Sequence, residues 1–353
     1  MHKPMKIGFY SPYLDTFGGG ERYILTLASH LSKKERVEIF WNNASIKAPL
    51  SKFLKIDLSK TRFTRNIFEE RNINRFLTTK SYDLVFILSD GSIPLSFAKK
   101  NILHFQVPFI MDKISRLNRI KLKNYKYVVT NSYFTKKFID KSFNVNSRVI
   151  YPPVDIDTFS PKSKEKIILS VGRFGNNQLH VKKQEVLIEV FKELYKTKND
   201  WKLYLVGQAK KKDQSYLRQL RKISSGYAIR IIENAPRHEL KDLYSKSAIY
   251  WHATGFGEDE LKSPQKMEHF GISTVEASAS GAVPIVINLG GQKEIITNKK
   301  DGLLWSTKTQ LLQQTLELID DRKRFVKLSQ NAIKNSKRFS KEVFVKKYEE
   351  LIY

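Results

Sequence analysis

The stretch that decides the fold runs from residue 263 to residue 294 and reads SPQKMEHFGISTVEASASGAVPIVINLGGQKE. Two glutamates, Glu268 and Glu276, stand eight residues apart on either side of a Phe-Gly turn. The residues after that turn have the spacing of a helix, and Ser273 or Thr274 is the expected N-cap because a short hydroxyl side chain accepts from a free N–H. The pattern predicts Glu268 in a loop and Glu276 on the helix.

The rest of this stretch predicts a strand and a second helix. Gly281 should end the first helix, 283–287 is an apolar run suited to a buried strand, and Gly290-Gly291 should lead into a helix that begins near Gln292. The first helix's N-terminus and the Gly-Gly turn should both present free backbone N–H groups, which bind a diphosphate. Carboxylates beside such a site can accept hydrogen bonds from ribose and sugar hydroxyls.

The chain shows the same alternation of strand, turn and helix twice. One series begins at 7–10, and a second begins at 166–173, after two prolines at 152 and 153 that form a stiff connector. This pattern predicts an α/β protein with two Rossmann-like domains. We assign 1–155 to the first domain, 163–335 to the second, and about 336–353 to a helix that returns to the first.

Two further candidate sites lie in the first series. Gly18, Gly19 and Gly20 follow the first strand, and consecutive glycines let the backbone approach a sugar or phosphate closely. They lack the spacing of a dinucleotide site, which disfavours a nicotinamide enzyme. His104 stands near the carboxyl end of the strand predicted at 101–106, where open α/β sheets bind ligands, although a lone histidine is more often structural.

Two basic residues of the second series are expected to lie close together, at the carboxyl end of its first strand. Arg173 follows the strand at 166–173, and Lys182 precedes the next helix. Together they offer bidentate and point-charge contacts to a diphosphate. Lys183, the next residue, remains an alternative to Lys182.

The composition excludes some classes of protein and leaves others open. The chain has 353 residues, no cysteine and a net charge of +28. The absence of cysteine excludes disulfides and cysteine nucleophiles. The positive charge indicates an anionic partner, either nucleic acid or an anionic bilayer, or it serves only solubility. The segment 110–127 combines helical apolar spacing with many cations, which fits either a membrane surface or an ordinary core-facing helix. No apolar run could cross a bilayer and no signal peptide is evident, so we expect a cytoplasmic protein.

The quoted stretch resembles the donor site of retaining glycosyltransferases of family 4, also called glycosyltransferase group 1. The resemblance rests on the two glutamates with Phe-Gly between them, on 152–155 (Pro-Pro-Val-Asp) and on 18–22 (Gly-Gly-Gly-Glu-Arg). Within the family it looks most like the lipid-linked-oligosaccharide α-1,2-mannosyltransferases. It is strongest at 251–294 and weak at 42–80. It implies the GT-B arrangement, in which two Rossmann-like domains face each other across a cleft.

The resemblance also assigns roles to residues. Glu268 would contact the donor sugar, Glu276 would hold the ribose, and His104 would lie near the reaction centre. Arg173 and Lys182 would stabilise the departing diphosphate. The backbone contacts to donor sugar, phosphate and acceptor would come from Gly19, Gly20, Phe270, Gly271, Ile272, Ser273 and Thr274.

The implied reaction is transfer of a hexosyl unit, with mannosyl favoured, from GDP-mannose or a UDP-sugar to a hydroxyl of a glycan or lipid-linked glycan. Such a reaction would serve cell-surface polysaccharide or glycoconjugate synthesis, including lipopolysaccharide or exopolysaccharide. We expect no cofactor, no metal, no nucleic acid, and peripheral binding to an anionic inner membrane face. The alternatives are a GT-B epimerase or hydrolase of nucleotide sugars, or a basic nucleic-acid-binding protein.

Overall fold

The computed structural model describes residues 3–69, 73–111, 113–175, 179 and 181–353. The chain divides into two compact units. The first contains Met1–Pro153 and Lys341–Tyr353, and the second contains Val154–Ser340. The helix that returns to the first unit begins at Lys341, and Phe339, shortly before it, packs edge-on against Phe270 within the second unit.

The first unit contains a seven-stranded sheet with the order β3-β2-β1-β4-β5-β6-β7, and every pair in it is parallel. Its central strands are continuous apolar runs because helices cover both faces of a parallel sheet. The strands are β1 (Lys6–Tyr10), β2 (Arg36–Phe40), β3 (Arg62–Thr64), β4 (Leu84–Ser89), β5 (Lys100–Phe105), β6 (Tyr127–Thr130) and β7 (Arg148–Val149).

The second unit repeats this design with six parallel strands in the order β10-β9-β8-β11-β12-β13. The order reverses direction beside β8, so the carboxyl ends of β8 and β11 form a switch point, where such sheets bind ligands. The strands are β8 (Glu165–Val171), β9 (Lys202–Gly207), β10 (Ile229–Glu233), β11 (Ser247–His252), β12 (Val283–Ile287) and β13 (Leu303–Trp305).

The helices connect the strands, and most of the described ones bury one face against a sheet or another helix, whereas the helix Arg116–Leu122 has no buried residue. The helix at the chain's end belongs to the first unit, where the Tyr348 and Tyr23 hydroxyls lie 2.8 Å apart. The helices are α1 (Gly19–Leu31), α2 (Lys47–Leu54), α3 (Ile73–Lys80), α4 (Arg116–Leu122), α5 (Tyr133–Phe143), α6 (Gln184–Tyr195), α7 (Gln214–Ser224), α8 (Arg237–Lys246), α9 (Ile272–Ala279), α10 (Gln292–Ile295), α11 (Lys308–Asp320), α12 (Arg322–Ser336) and α13 (Lys341–Ile352).

Each unit has its own hydrophobic core. In the first, apolar residues of β1, β2 and β4 pack against α1 and α13. In the second, the core lies between the sheet and the helices α6, α7, α11 and α12. Of the helices that the structure describes, none is both long enough and apolar enough to span a bilayer.

Candidate functional site

The helix that carries Glu276 begins at a glycine. Gly271 is the N-cap of α9 with φ +121°, and Ile272 is the first helical residue. The predicted N-cap of Ser273 or Thr274 is therefore wrong by two or three residues. A positive φ favours glycine, and a side chain at this position would also meet the Gln292 amide.

The two hydroxyl residues point into the protein instead of capping the helix. Ser273 Oγ accepts a hydrogen bond of 2.8 Å from the Tyr250 hydroxyl, and Thr274 Oγ1 donates to Gln292 Oε1 over 2.9 Å. Phe270, just before the turn, is buried. What this turn offers a ligand is therefore backbone N–H groups of the first helical turn, which an α-helix leaves unpaired at its start.

Glu268 lies at the centre of a small polar cluster. Lys182 Nζ donates to Glu268 Oε2 over 2.5 Å, and His252 Nε2 lies 3.1 Å from the same oxygen. His252 is the last residue of β11, at the switch point of the second sheet. The sequence alone favours a structural role for this histidine, and its place at the end of a predicted strand before a glycine-rich loop is the signal that could have identified it.

His252 is held in its neutral form by its surroundings. Its side chain is nearly fully buried, and burial lowers the pKa of the imidazole, against the opposing effect of the Glu268 carboxylate. Desolvation penalises the charged ring more than one carboxylate stabilises it. The cluster therefore contains one carboxylate, one ammonium and one neutral imidazole.

Glu276 is also paired. Arg237 Nη2, at the start of α8, donates to Glu276 Oε1 over 2.9 Å. The guanidinium also lies 5.3 Å from the centre of the Phe159 ring, a cation–π distance. Arg237 was not predicted from the sequence, because nothing in its local pattern marks it as the partner of a residue thirty-nine positions away.

The Gly-Gly turn does not present free N–H groups as predicted. The Gly290 N–H donates to Glu260 Oε2 over 2.9 Å, and the Gly291 N–H donates to the Glu268 carbonyl over 2.8 Å. Glu260 also accepts from Lys293. The turn therefore fixes the backbone of the Glu268 loop, and a carboxylate from the preceding loop occupies one of its donors.

The two predicted cations lie at the carboxyl edge of β8. Arg173 is exposed and forms no ion pair with any described residue. The stem of Lys182 covers Gly172, since its Cγ is 2.8 Å from where a Cβ on that glycine would lie. Lys183 instead reaches Glu258, with Nζ 3.4 Å from Oε1. Residues 176–178 and 180 of the intervening loop lie outside the described residues.

His104 is buried and does not point to the edge of the sheet, contrary to the place near the reaction centre that the resemblance implied. The side chain is 0% exposed, and its ring stacks on Tyr23 with centroids 4.0 Å apart. Burial lowers its pKa to about 3. His104 lies one residue before the end of β5 and faces the aromatic core between the sheet, α1 and α13, where its role is packing.

The residue that faces the glycine loop is Gln106, just past β5. Its Oε1 lies 2.9 Å from the position that a Cβ on Gly20 would occupy, and its buried Nε2 has no partner among the described residues. Gly19 and Gly20 open α1, and Glu21 caps that helix by accepting from the Gly18 N–H. This edge of the first unit therefore combines the uncharged amide of Gln106 with the buried side chain of Glu21.

The basic segment 110–127 contains one short helix, α4, and leaves apolar side chains in solvent. Ile110, Leu117 and Ile120 are 51%, 60% and 62% exposed, whereas Ile114 is buried. Asp112 lies outside the described residues. The structure therefore supports parts of both interpretations of this segment: Ile114 and Tyr125 lie in the core, whereas Ile110, Leu117 and Ile120 are exposed to solvent.

The predicted residues of the second unit come together at one edge of one sheet. Glu268, Lys182 and Arg173 surround the carboxyl end of β8 and β11, and Glu276 follows on α9. Gly19, Gly20 and His104 belong to the first unit. Among the residues that the structure describes, no group of three or more His, Asp or Glu side chains is placed to hold a metal ion.

Comparison with known proteins connects this geometry with a family. Residues 155–338 match the family described as "Glycosyl transferases group 1", which is just over half of the chain. The chain is 27% identical over 239 residues to the GDP-Man:Man(3)GlcNAc(2)-PP-Dol alpha-1,2-mannosyltransferase of Dictyostelium discoideum, covering 62% of this chain. That match spans 45% of the relative, so this chain corresponds to less than half of that protein.

A second relative is matched over more of its length. The alpha-1,3/1,6-mannosyltransferase ALG2 of Rhizomucor pusillus is 24% identical over 374 residues, covering 86% of this chain and 81% of that one. Among solved structures, a glycosyltransferase from Rickettsia africae superposes with a TM-score of 0.77 at 18% identity, covering 99% and 98% of the two chains. Anabaena HepE in complex with UDP and glucose gives 0.72 at 16% identity, covering 99% of each chain.

These likenesses confirm the predicted fold class and family. The solved structures are too distant in sequence to show more than the fold, which is GT-B with two Rossmann-like units. The family match covers the whole of the edge built around Glu268, Lys182 and Glu276. This chain belongs to the glycosyl transferases group 1.

Proposed function

We propose that this chain transfers a hexosyl unit, with mannose favoured, from a nucleotide sugar to a hydroxyl of a glycan or lipid-linked glycan, with retention at the anomeric carbon. The observation that carries the proposal is the edge at β8 and β11. There Glu268 and Lys182 stand beside the N-terminus of α9, and Glu276 follows within that helix. The mannosyltransferase names of both relatives support the choice of sugar.

Each group at this edge has a part in binding the donor. Lys182 and Arg173 supply positive charge for the diphosphate, and the N–H groups at the start of α9 add a helix-terminus contact. Glu276, oriented by Arg237, accepts hydrogen bonds from the ribose hydroxyls. Glu268 accepts hydrogen bonds from hydroxyls of the sugar. Lys182 is the better candidate than Lys183, because its ammonium is the one beside Glu268.

The chemical step follows from what these groups can do. The acceptor oxygen bonds to the anomeric carbon as the bond from that carbon to the diphosphate oxygen breaks, on the same face of the sugar. The departing phosphate oxygen takes the acceptor's proton. Arg173 and Lys182 stabilise the negative charge that develops on the leaving group, which is the main electrostatic contribution open to this site. The proposed reaction uses no metal and no cofactor.

The donor is tested by binding. We expect GDP-mannose to raise the melting temperature of the protein more than UDP-glucose, UDP-galactose or GDP alone. A ligand at about 100 times its Kd stabilises a protein by about 2.7 kcal/mol. A larger shift with a UDP-sugar would replace the donor and keep the enzyme class, whereas no shift with any nucleotide sugar would refute the proposal.

The reaction is tested by Glu268→Ala, with Glu258→Gln as the control in the same unit. We expect Glu268→Ala to abolish sugar transfer while leaving the affinity for the nucleoside diphosphate within about threefold, because the sugar is the part of the donor that Glu268 binds. Glu258→Gln should retain transfer. Product formation by the wild type in the absence of an acceptor would instead indicate a hydrolase or an epimerase.

We also propose that the chain works at the anionic inner face of a membrane, through the segment around α4. Leu117 and Ile120 project into solvent, and Arg116, Arg119 and Lys121 lie on the same short helix. Apolar side chains can enter a bilayer interface while neighbouring cations near an anionic surface each contribute about 1 kcal/mol. The lipid-linked acceptor in one relative's name supports the same location.

Vesicle sedimentation tests this part of the proposal. The wild type should sediment with vesicles that contain phosphatidylserine or phosphatidylglycerol and remain in solution with pure phosphatidylcholine. Leu117→Ser combined with Ile120→Ser should reduce binding at least tenfold, since two apolar side chains no longer enter the interface. Leu261→Ser, at an equally exposed leucine of the second unit, is the control. Equal binding by all three proteins would exclude this surface.

A further inference from the structure

His252 is the feature of the second unit that the donor-binding scheme has not used. It is the last residue of β11 and therefore lies on a rigid strand at the switch point of the sheet. Its Nε2 is 3.1 Å from Glu268 Oε2 and 3.2 Å from Thr254 Oγ1. A buried ring on a central strand has little freedom, so its contact with Glu268 is geometrically fixed.

The position of the proton on this ring follows from its two nitrogens. Nδ1 is buried and has no partner among the described residues. A proton on Nδ1 would be an unsatisfied buried donor, which is costly, whereas Nε2 faces a carboxylate that can only accept. The proton therefore lies on Nε2, and the neutral imidazole donates to Glu268.

Glu268 Oε2 thus receives two donors of different kinds. Lys182 is a charged group on a flexible stem, and it lies beside Arg173 at the edge where a diphosphate would bind. An arriving diphosphate offers this ammonium a second, more highly charged anion. His252 has no such alternative, because its ring is held by the strand. When Lys182 turns toward the phosphate, the imidazole remains on the carboxylate.

We propose that His252 is a positioning residue that keeps the Glu268 carboxylate aimed at the donor sugar after Lys182 has engaged the diphosphate. This inference rests on the proposed function, because it presumes that Glu268 binds the sugar and Lys182 the phosphate. In this scheme, recognition of the sugar and recognition of the nucleotide depend on different residues. Loss of His252 weakens recognition of the sugar and leaves recognition of the nucleotide unchanged.

Two substitutions at this position distinguish positioning from packing. His252→Leu keeps apolar volume and removes the donor, and His252→Gln restores an amide N–H at a similar reach. For His252→Leu we expect kcat/KM for the nucleotide sugar to fall roughly 10- to 100-fold, the range for loss of a hydrogen bond to a charged group. His252→Gln should recover most of this loss. The Kd of the nucleoside diphosphate should stay within about twofold in both.

A double-variant comparison keeps the test valid if His252→Leu is destabilised. In a Glu268→Ala background no carboxylate remains to be positioned, so adding His252→Leu should not weaken nucleotide-sugar binding further. Additive losses would show that the histidine acts through the fold, and would overturn the inference. An equal loss of nucleoside diphosphate affinity in His252→Leu, or no rescue by His252→Gln, would also overturn it.

The same measurements separate this inference from the proposed function. If the wild type binds no nucleotide sugar, the donor-binding scheme itself fails and this inference fails with it. If the wild type transfers sugar and His252→Leu transfers it at the same kcat/KM, only the positioning role is refuted. Isothermal titration calorimetry with the diphosphate and the nucleotide sugar, beside steady-state kinetics, provides all the required values.

Discussion

The two units of this chain each bury a histidine near the end of a strand, and the two histidines have different surroundings. His104 in β5 is stacked on Tyr23, within a core of aromatic rings. His252 in β11 is equally buried but faces the Glu268 carboxylate. Burial lowers the pKa of both rings. Only the second has a charged partner at a ligand-binding edge.

The comparison shows that a residue's place along a strand does not define its function. Side chains of a strand alternate between the two faces, and those at its end can point to the core or to the edge. In the first unit the edge near the glycine loop presents a neutral amide, Gln106, whereas in the second it presents Lys182 and Glu268. The ammonium group of Lys182, which suits a diphosphate, therefore lies at the edge of the second unit.

Separate substitutions of the neighbouring residues Lys182 and Lys183 test whether the positive charge at the edge of the second unit stabilises the diphosphate. Lys182→Met should lower kcat by roughly 100- to 1,000-fold, the cost of losing one preorganised electrostatic group at the leaving oxygen. Lys183→Met should change kcat by less than about threefold, because its ammonium pairs with Glu258. Steady-state kinetics at saturating donor decides between them. The reverse order would identify Lys183 as the phosphate ligand.

The acid sensitivity of His104 tests whether the first histidine serves only the fold. Its pKa is lowered to about 3, so the unfolded chain takes up a proton near pH 6.5 while the folded chain does not. Stability is thus fully present above pH 6.5 and is lost as the pH falls. Between pH 7 and pH 5, wild type should lose about 2 kcal/mol of unfolding free energy relative to His104→Phe. Urea unfolding at both pH values measures this difference, and parallel curves would show that the folded chain can protonate His104.

Much of the fold could be predicted because local sequence patterns determine its strands and turns. The apolar runs and glycine or proline turns predicted the strands at both sheet centres, and the family match confirms the identification made from the Glu268 to Glu276 segment. The strand Arg62–Thr64 was missed, since three residues are too few to show a period.

The candidate site was predicted less completely, because its contacts join residues that are distant in sequence. Lys182 and Glu268 are separated by 86 positions, and Arg237 and Glu276 by 39. No local pattern reveals such pairs. The N–H of Gly290 was expected to be free, and only the structure shows that Glu260 accepts from it. The direction of His104 likewise depends on packing between β5, α1 and α13, which periodicity does not resolve.

The ribose contact sharpens the comparison at the second edge. Arg237→Leu should weaken binding of the nucleoside diphosphate about tenfold, because Glu276 loses the group that orients it, with little change in kcat at saturating donor. Binding of the 2′-deoxynucleoside diphosphate should be weakened less, since this nucleotide lacks one of the ribose hydroxyls that Glu276 would bind. Arg221→Leu, which breaks an ion pair elsewhere in the same unit, is the control. Equal weakening of both nucleotides would place Arg237 away from the ribose.

The smallest effect is expected at the glycine loop of the first unit. A Cβ at residue 20 would approach Gln106 Oε1, the end of a flexible side chain, so Gly20→Ala should change the unfolding free energy by less than about 1 kcal/mol. In a Gln106→Ala background the obstacle is gone, and Gly20→Ala should stabilise the chain by about 0.5–1 kcal/mol through its higher helix propensity. Urea unfolding of the four proteins gives the coupling between the two positions. Destabilisation in both backgrounds would mean that the backbone of α1, and not Gln106, requires glycine at residue 20. The start of α1 would then tolerate as little change as the edge around Glu268.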